Sequence, residues 1–200
     1  MSSDNSRSDK PASRESGDDQ KGRESGYACQ VEVPGSPYGA RLFWTESGIF
    51  RVVITTRGRN KPAPGAKMEP PRFVSRAASA ISAFLEGGPD PWSVQVDLSG
   101  LTPFQSRVLE ATRLIPRGKV ATYGWVAMAA GANGAARAVG RALATNSLPL
   151  IYPCHRVIAS DLALHGFTSS GGLKTKGYLL DLEAVPFTAR GVVAFGSVLR

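Results

Sequence analysis

In "PLIYPCHRVIAS", residues 149–160, a cysteine and a histidine stand side by side behind a proline. The chain has only two cysteines, Cys29 and Cys154, and two histidines, His155 and His165. A thiol near its free pKa of about 8.5 is only a few per cent thiolate at neutral pH, so a nucleophilic cysteine needs a base within hydrogen-bond reach. His155 can serve, directly or through a water. An imidazole works best when a third group fixes its tautomer and stabilises its charged form. The second half of the chain offers four acids for that task, Glu110, Asp161, Asp181 and Glu183. Adjacent side chains of a regular strand point to opposite faces, so the pair requires a turn at Pro153-Cys154. A Cys-His dipeptide alone is more often structural than chemical.

The elements around the pair read in two units. Residues 1–26 are almost devoid of apolar side chains and are expected to be a disordered tail. From Tyr27, the segments "ACQVEV" (28–33), "ARLFW" (40–44), "IFRVVITT" (49–56) and "SVQVDL" (93–98) read as strands. "RGRNKPAPGAKMEPP" (57–71) reads as a loop, and "RFVSRAASAISAFLEGG" (72–88) as a helix ending in glycines. The second unit opens at Thr102-Pro103, a capping hydroxyl before a proline at the first helical position. "PFQSRVLEATRLI" (103–115), "TYGWVAMAAG" (122–131), "GAARAVGRALAT" (134–145) and "LKTKGYLLDLE" (173–183) follow as helices, the middle two joined across a Gly-containing turn like a helix-turn-helix. Arg137 and Arg141, one turn apart among small residues, suit phosphates or bases on a close partner; tight helix packing would read the same way. "LPLIY" reads as a buried extended segment, and Cys29 as a buried strand residue.

The formal net charge of +8 is concentrated in residues 101–200, with 11 basic and 4 acidic side chains. That bias suits a polyanionic partner, although a solvated basic face gives the same count. Two cysteines are too few for a disulfide framework and form no zinc-type pair, so a reducing compartment is expected. No apolar run approaches the roughly 18 residues of a membrane span, and the first 28 residues lack a signal-peptide core. The expectation is a soluble, unexported protein.

"YPCHRVI", preceded by "AARAVGRALATN" and followed by "SGGLKTKGYLLDLE", resembles the O(6)-alkylguanine-DNA alkyltransferases, single-turnover DNA-repair proteins. The resemblance is close over about residues 102–185 and extends to 27–100 only in layout. It implies an α+β protein: a ribonuclease-H-like α/β domain over 27–100, then a mainly helical, winged-helix-like domain over 101–185 that contains the helix-turn-helix. Residues 186–200 form a tail whose structure stays open. It further implies that Cys154 accepts the alkyl group from guanine O6 as a thioether, with His155 the water-mediated base and Glu183 its orienting acid. Tyr123 would protonate the departing guanine, and Asn146 would brace the turn between recognition helix and acceptor. For DNA it implies Arg137 as the finger replacing the flipped nucleotide, with Ala136, Arg141, Thr122 and Tyr123 at the interface. Arg156 would be the structural arginine of the box.

The alkyl pocket is implied at Pro149, Tyr152, Ser160, Phe167 and Thr168. Here the chain departs from the family: Leu162 stands where Gly is common, Phe167 where Tyr is common, and Thr168-Ser169-Ser170 lengthens the loop by about two residues. Phe167 can stack on a base without hydrogen-bonding to it. Which hydroxyl contacts guanine, and the alkyl-size preference, stay open. No cofactor is expected, since Tyr123 activates the leaving group and His155 the nucleophile. No metal is expected either, because family members that bind zinc use first-domain residues and the chain's histidines are His155 and His165. The partner would be alkylated double-stranded DNA and no membrane, the protein a monomer in the cytoplasm, or in the nucleus of a eukaryote. Two rivals remain at this point: a lesion-binding relative without efficient transfer, and a Cys-His hydrolase.

Overall fold

The computed structural model describes residues 28–57 and 69–199. The tail expected over 1–26 and most of the loop expected over 57–71 lie outside the described residues. The architecture is mixed, with small sheets and helices. Strands β1 (Ala28–Val31), β2 (Tyr38–Thr45) and β3 (Gly48–Thr56) form an antiparallel sheet in that order. Alternation produces it: Ala40, Leu42, Val52 and Ile54 are buried, and the helix α1 (Arg72–Leu85) covers them with Val74, Ala77, Ile81 and Phe84. Cys29 lies in β1 opposite Leu42, half-buried.

The strand expected over 93–98 is not formed. Only a single bridge joins Val96 to Ile49, through Ile49 N–H to Gln95 O at 2.9 Å and Asp97 N–H to Ile49 O at 2.9 Å. Pro91 immediately upstream lacks a backbone donor, and Asp97 turns its carboxylate to Thr45 and the Ser99 N–H, which ends the pairing.

Helix α2 (Pro103–Arg113) begins as its sequence demands. Thr102 Oγ1 accepts from Gln105 N–H at 3.2 Å, Gln105 Oε1 accepts from Thr102 N–H at 2.9 Å, and Pro103 occupies the first position. Ile115, expected in this helix, falls beyond its end yet stays buried. Strand β4 (Ala121–Thr122) leads into α3 (Tyr123–Ala129), capped by Thr122 Oγ1, which accepts from Trp125 N–H. After a turn with Gly131 and Gly134 at positive φ comes α4 (Ala136–Ala144), packed on α2 and α3.

The apolar run at 148–152 is buried but not extended. Leu150 has φ 73, Tyr152 N–H bonds Leu148 O at 3.0 Å, and the segment coils into a turn. A bulky residue in the left-handed region costs roughly 1–3 kcal/mol, so its surroundings must hold it there. They do so from Asn146, whose Oδ1 accepts from Leu148 N–H at 2.9 Å and whose Nδ2 donates to Tyr152 O at 3.0 Å.

A single 3-10 turn, Cys154–Arg156, then runs into β5 (Val157–Ile158), which pairs in parallel with β4. Helix α5 (Leu173–Leu182) ends in a Schellman arrangement: Val185 N–H bonds Leu180 O and Ala184 N–H bonds Asp181 O, with Ala184 at φ 57. The segment after it is structured, since Val193 and Ser197 are buried and Val198 bridges to Val120. One hydrophobic cluster runs from Val31 and Leu42 through Phe84 and Leu109 to Tyr152 and Leu179, so both units share it.

Candidate active site

The 3-10 turn resolves the problem of adjacent side chains. Cys154 and His155 leave the backbone about a third of a turn apart rather than on opposite faces of a strand. Cys154 is half-buried at the end of the Asn146-braced turn, its N–H bonded to Tyr152 O at 2.8 Å. His155 points inward, 1 % exposed, with Nε2 2.8 Å from Glu183 Oε1. Arg156 is wholly buried; its Nε and one terminal nitrogen bond the two Glu183 oxygens at 2.8 Å each. Its other terminal nitrogen donates to Ile115 O at 2.8 Å.

Burial alone would raise the pKa of Glu183, but hydrogen bonds from His155 and Arg156 outweigh it and hold the carboxyl at about 2. An ionised carboxylate only accepts, so the proton on His155 sits on Nε2 and Nδ1 keeps its lone pair. Nδ1 is buried and has no hydrogen-bond partner among the described residues. Burial also lowers the His155 pKa against the pull of Glu183, with the charges of Arg156 and Lys176 adding to the lowering. The ring is therefore neutral at pH 7, a base oriented by an anion.

For Cys154, burial pushes the thiol pKa up, while a hydrogen bond from Asn146 and the charge of Lys176 pull it down. Lys176 did not stand out in the sequence. It lies inside α5, 1 % exposed, its Nζ donating to Val157 O at 2.7 Å and His165 O at 3.1 Å. Burial lowers its pKa to about 8, with the Cys154 charge opposing. A signal existed, since Lys176, Leu179, Leu180 and Glu183 follow one another at helical spacing and put the amine on the apolar stripe.

Tyr123 reaches the same place from the start of α3. Burial raises its pKa, and the neighbouring Cys154 charge raises it further, which keeps the phenol protonated. Gly140 of α4 faces its ring. Cys154, His155, Glu183, Tyr123 and Asn146 are thus brought together, with Lys176 and Arg156 added. Arg137 and Arg141 are exposed on α4, Ala136 is half-buried in its first turn, and no side chain caps that helix.

Of the expected pocket residues, Pro149 and Thr168 line a cleft of about 690 Å³ with Asn146, Ser147 and Phe50 and Val52 of β3; Cys154, Tyr123 and Phe167 are not in its lining, so this cleft is not the space beside the thiol. Thr168 Oγ1 donates to Ala144 O at 2.9 Å, fastening the lengthened loop to the end of α4. Phe167 is half-buried against the main core and Ser160 is exposed. Tyr152 gives the site its carbonyl, whereas its hydroxyl donates to Glu110 of α2 at 2.8 Å. Among the described residues, no three His, Cys, Asp or Glu side chains gather as a metal set would. No helix among them is long and apolar enough to cross a membrane.

The family model for the DNA-binding domain of 6-O-methylguanine DNA methyltransferase matches residues 103–185. The methylated-DNA–protein-cysteine methyltransferase of Methanothermobacter thermautotrophicus is 36% identical over 145 residues, which cover 72% of this chain and 78% of that protein. That of Mycobacterium tuberculosis H37Rv is 42% identical over 122 residues, 61% of this chain and 68% of its own. The crystal structure of the M. tuberculosis O6-methylguanine methyltransferase superposes with a TM-score of 0.63 at 32% identity, covering 82% of this chain and 95% of that one. A crystal structure of M. tuberculosis OGT in complex with DNA gives 0.61 at 32% identity, covering 77% and 90%.

Proposed function

The chain belongs to the methylated-DNA–protein-cysteine methyltransferase family, and we propose that it carries out that family's DNA repair by moving an alkyl group from O6 of guanine to Cys154. The buried His155–Glu183 pair beside the half-buried Cys154 is the observation that carries this reading. His155 Nδ1 takes the thiol proton through a water, and Glu183 stabilises the imidazolium that forms. The thiolate attacks the alkyl carbon; the S–C bond forms as the C–O6 bond breaks, and the electron pair goes to the guanine. Tyr123 donates its phenolic proton to the departing base, since a neutral purine leaves more readily than its anion, and the imidazolium returns a proton to the tyrosinate. The thioether C–S bond is stable and nothing at the site cleaves it, so each molecule acts once.

Duplex DNA would be engaged by α4, with Arg137 taking the place of the everted nucleotide and Arg141 near phosphate. Exposed arginines on a helix of small residues, whose first turn is free of acidic side chains, support this. The finer fold assignment, a ribonuclease-H-like first unit and a winged-helix-like second, belongs to the same proposal. So do the monomeric state and the alkyl pocket at Pro149, Phe167 and Thr168. Incubation with duplex DNA carrying radiolabelled O6-methylguanine tests the function. Label on protein at up to one equivalent is expected. Tight binding with all label left on DNA would overturn it in favour of a lesion sensor, and release of label as methanol over many turnovers in favour of a hydrolase.

A further inference from the structure

Arg156 bonds Glu183 through Nε and Nη2, and the same Nη2 also donates to Asp90, in the segment between α1 and α2. The Asp90 side chain is 11% exposed and the Arg156 side chain 0%. Asp90 is held in place from both sides. It lies between Pro89 and Pro91, whose rings fix the backbone, and Trp92 N–H bonds its carbonyl at 2.9 Å. Arg117 clamps the approach, donating to Gly88 O at 2.8 Å, Gly87 O at 3.1 Å and Leu182 O at 2.9 Å, the last beside Glu183.

We infer that Asp90 is a positioning residue for alkyl transfer: it shares the Arg156 guanidinium with Glu183 through one terminal nitrogen, so that Glu183 keeps its charge available to the imidazolium of His155. The inference rests on the Cys154–His155 reading above. Were Glu183 the sole anion on Arg156, its charge would be spent on the guanidinium, and protonating His155 would place a second cation against an already neutral pair. With Asp90 present the Asp90, Arg156 and Glu183 set is net anionic, and the proton leaving Cys154 has a site to go to. The groups around His155 are Lys176 from α5 and Glu183 at its C-terminal cap, Cys154 and Arg156 from its own turn, Tyr123 from α3 beside the thiol, Asp90 on the Arg156 nitrogen that also bonds Glu183, and the uncharged Phe84 ring of α1 at 6.1 Å. Asp90 lies on the Arg156 side of the imidazole, so its loss destabilises the imidazolium more than it favours the thiolate.

Single-turnover transfer from O6-methylguanine duplex is to be measured from pH 5 to 9 for wild type, Asp90→Asn and Asp90→Glu, with duplex affinity measured in parallel. In Asp90→Asn the plateau rate falls about tenfold and the acid limb moves about half a unit or more to lower pH, because losing a negative charge makes His155 harder to protonate. Affinity stays within about twofold and Asp90→Glu restores the limb. A packing defect moves the limb the other way, because admitting water to His155 raises its pKa toward the free value. A lowered plateau with a stationary or raised limb, or no rescue by Asp90→Glu, overturns the inference. Should Asp90→Asn, Asp90→Ser and Asp90→Ala all fail to fold, the aspartate serves the fold and the inference equally fails. A wild type that transfers no label removes the functional reading instead, so the two failures are distinguishable.

Discussion

His155, Arg156, Lys176 and Glu183 lie together at 3% exposure or less. Apolar residues of similar volume would give a fold at least as stable, because desolvating ions costs several kcal/mol each. Their presence is explained by what they do to one sulfur. Glu183 makes a stability prediction with a definite sign. Its folded pKa of about 2 lies below the ordinary 4.5, so its contribution is complete above pH 4.5 and is lost as pH falls toward 2. Between pH 6 and pH 3, wild type should lose about 2 kcal/mol more than Glu183→Gln in urea unfolding; parallel losses would show that the carboxyl is not held ionised by its partners. Cys154 and His155 stood out in the sequence because their chemistry is rare and local. Glu183 emerged only through resemblance, and Asp90 not at all: its bond to Arg156 spans 66 positions, and its flanking prolines read simply as a loop.

The elements divide by whether local pattern or tertiary contact decides them. Strands β1 to β3 and helices α1 to α5 were legible from alternation, helical spacing and the Thr102-Pro103 start, with ends differing by a few residues. Residues 93–98 alternate like a strand, yet only Val96 pairs, since Asp97 diverts its carboxylate to Thr45. "LPLIY" is apolar enough for a strand, yet Asn146 folds it into a turn from outside the run. That turn sets the distance between α4 and Cys154, so one amide side chain fixes how the helix and the cysteine stand to each other. Arg137 is exposed in the first turn of α4. Arg137→Ala should therefore slow repair of duplex DNA at least about tenfold while leaving reaction with the free alkylated base within about twofold. Equal losses on both substrates would reject its finger role.

Across the whole molecule, the first unit is built into the site rather than appended to it. Phe84 of α1 packs on the His155 ring, Val52 of β3 donates to Ser147 O at 2.7 Å, and Tyr178 of α5 meets Ser36 at 3.1 Å. The main core that joins the units could not be read from the sequence, because each unit taken alone shows a complete amphipathic pattern. The segment after Glu183 was equally illegible. Its Val193 and Val198 are too widely spaced to signal a strand, and their partners are distant or isolated: Val193 bridges Phe187 and donates to Leu162 O, and Val198 bridges Val120 just before β4. This arrangement offers DNA two thiols in very different settings: Cys29 in a strand, where burial raises its pKa and nothing opposes, and Cys154 beside a base, an amide and an ammonium. The most direct measurement is peptide mapping by mass spectrometry after reaction with one equivalent of O6-methylguanine duplex. The transferred methyl group is expected on the peptide containing Cys154 and nowhere else. A methyl group on the Cys29 peptide, or an unmodified chain recovered after the lesion has gone from the DNA, would contradict transfer to Cys154.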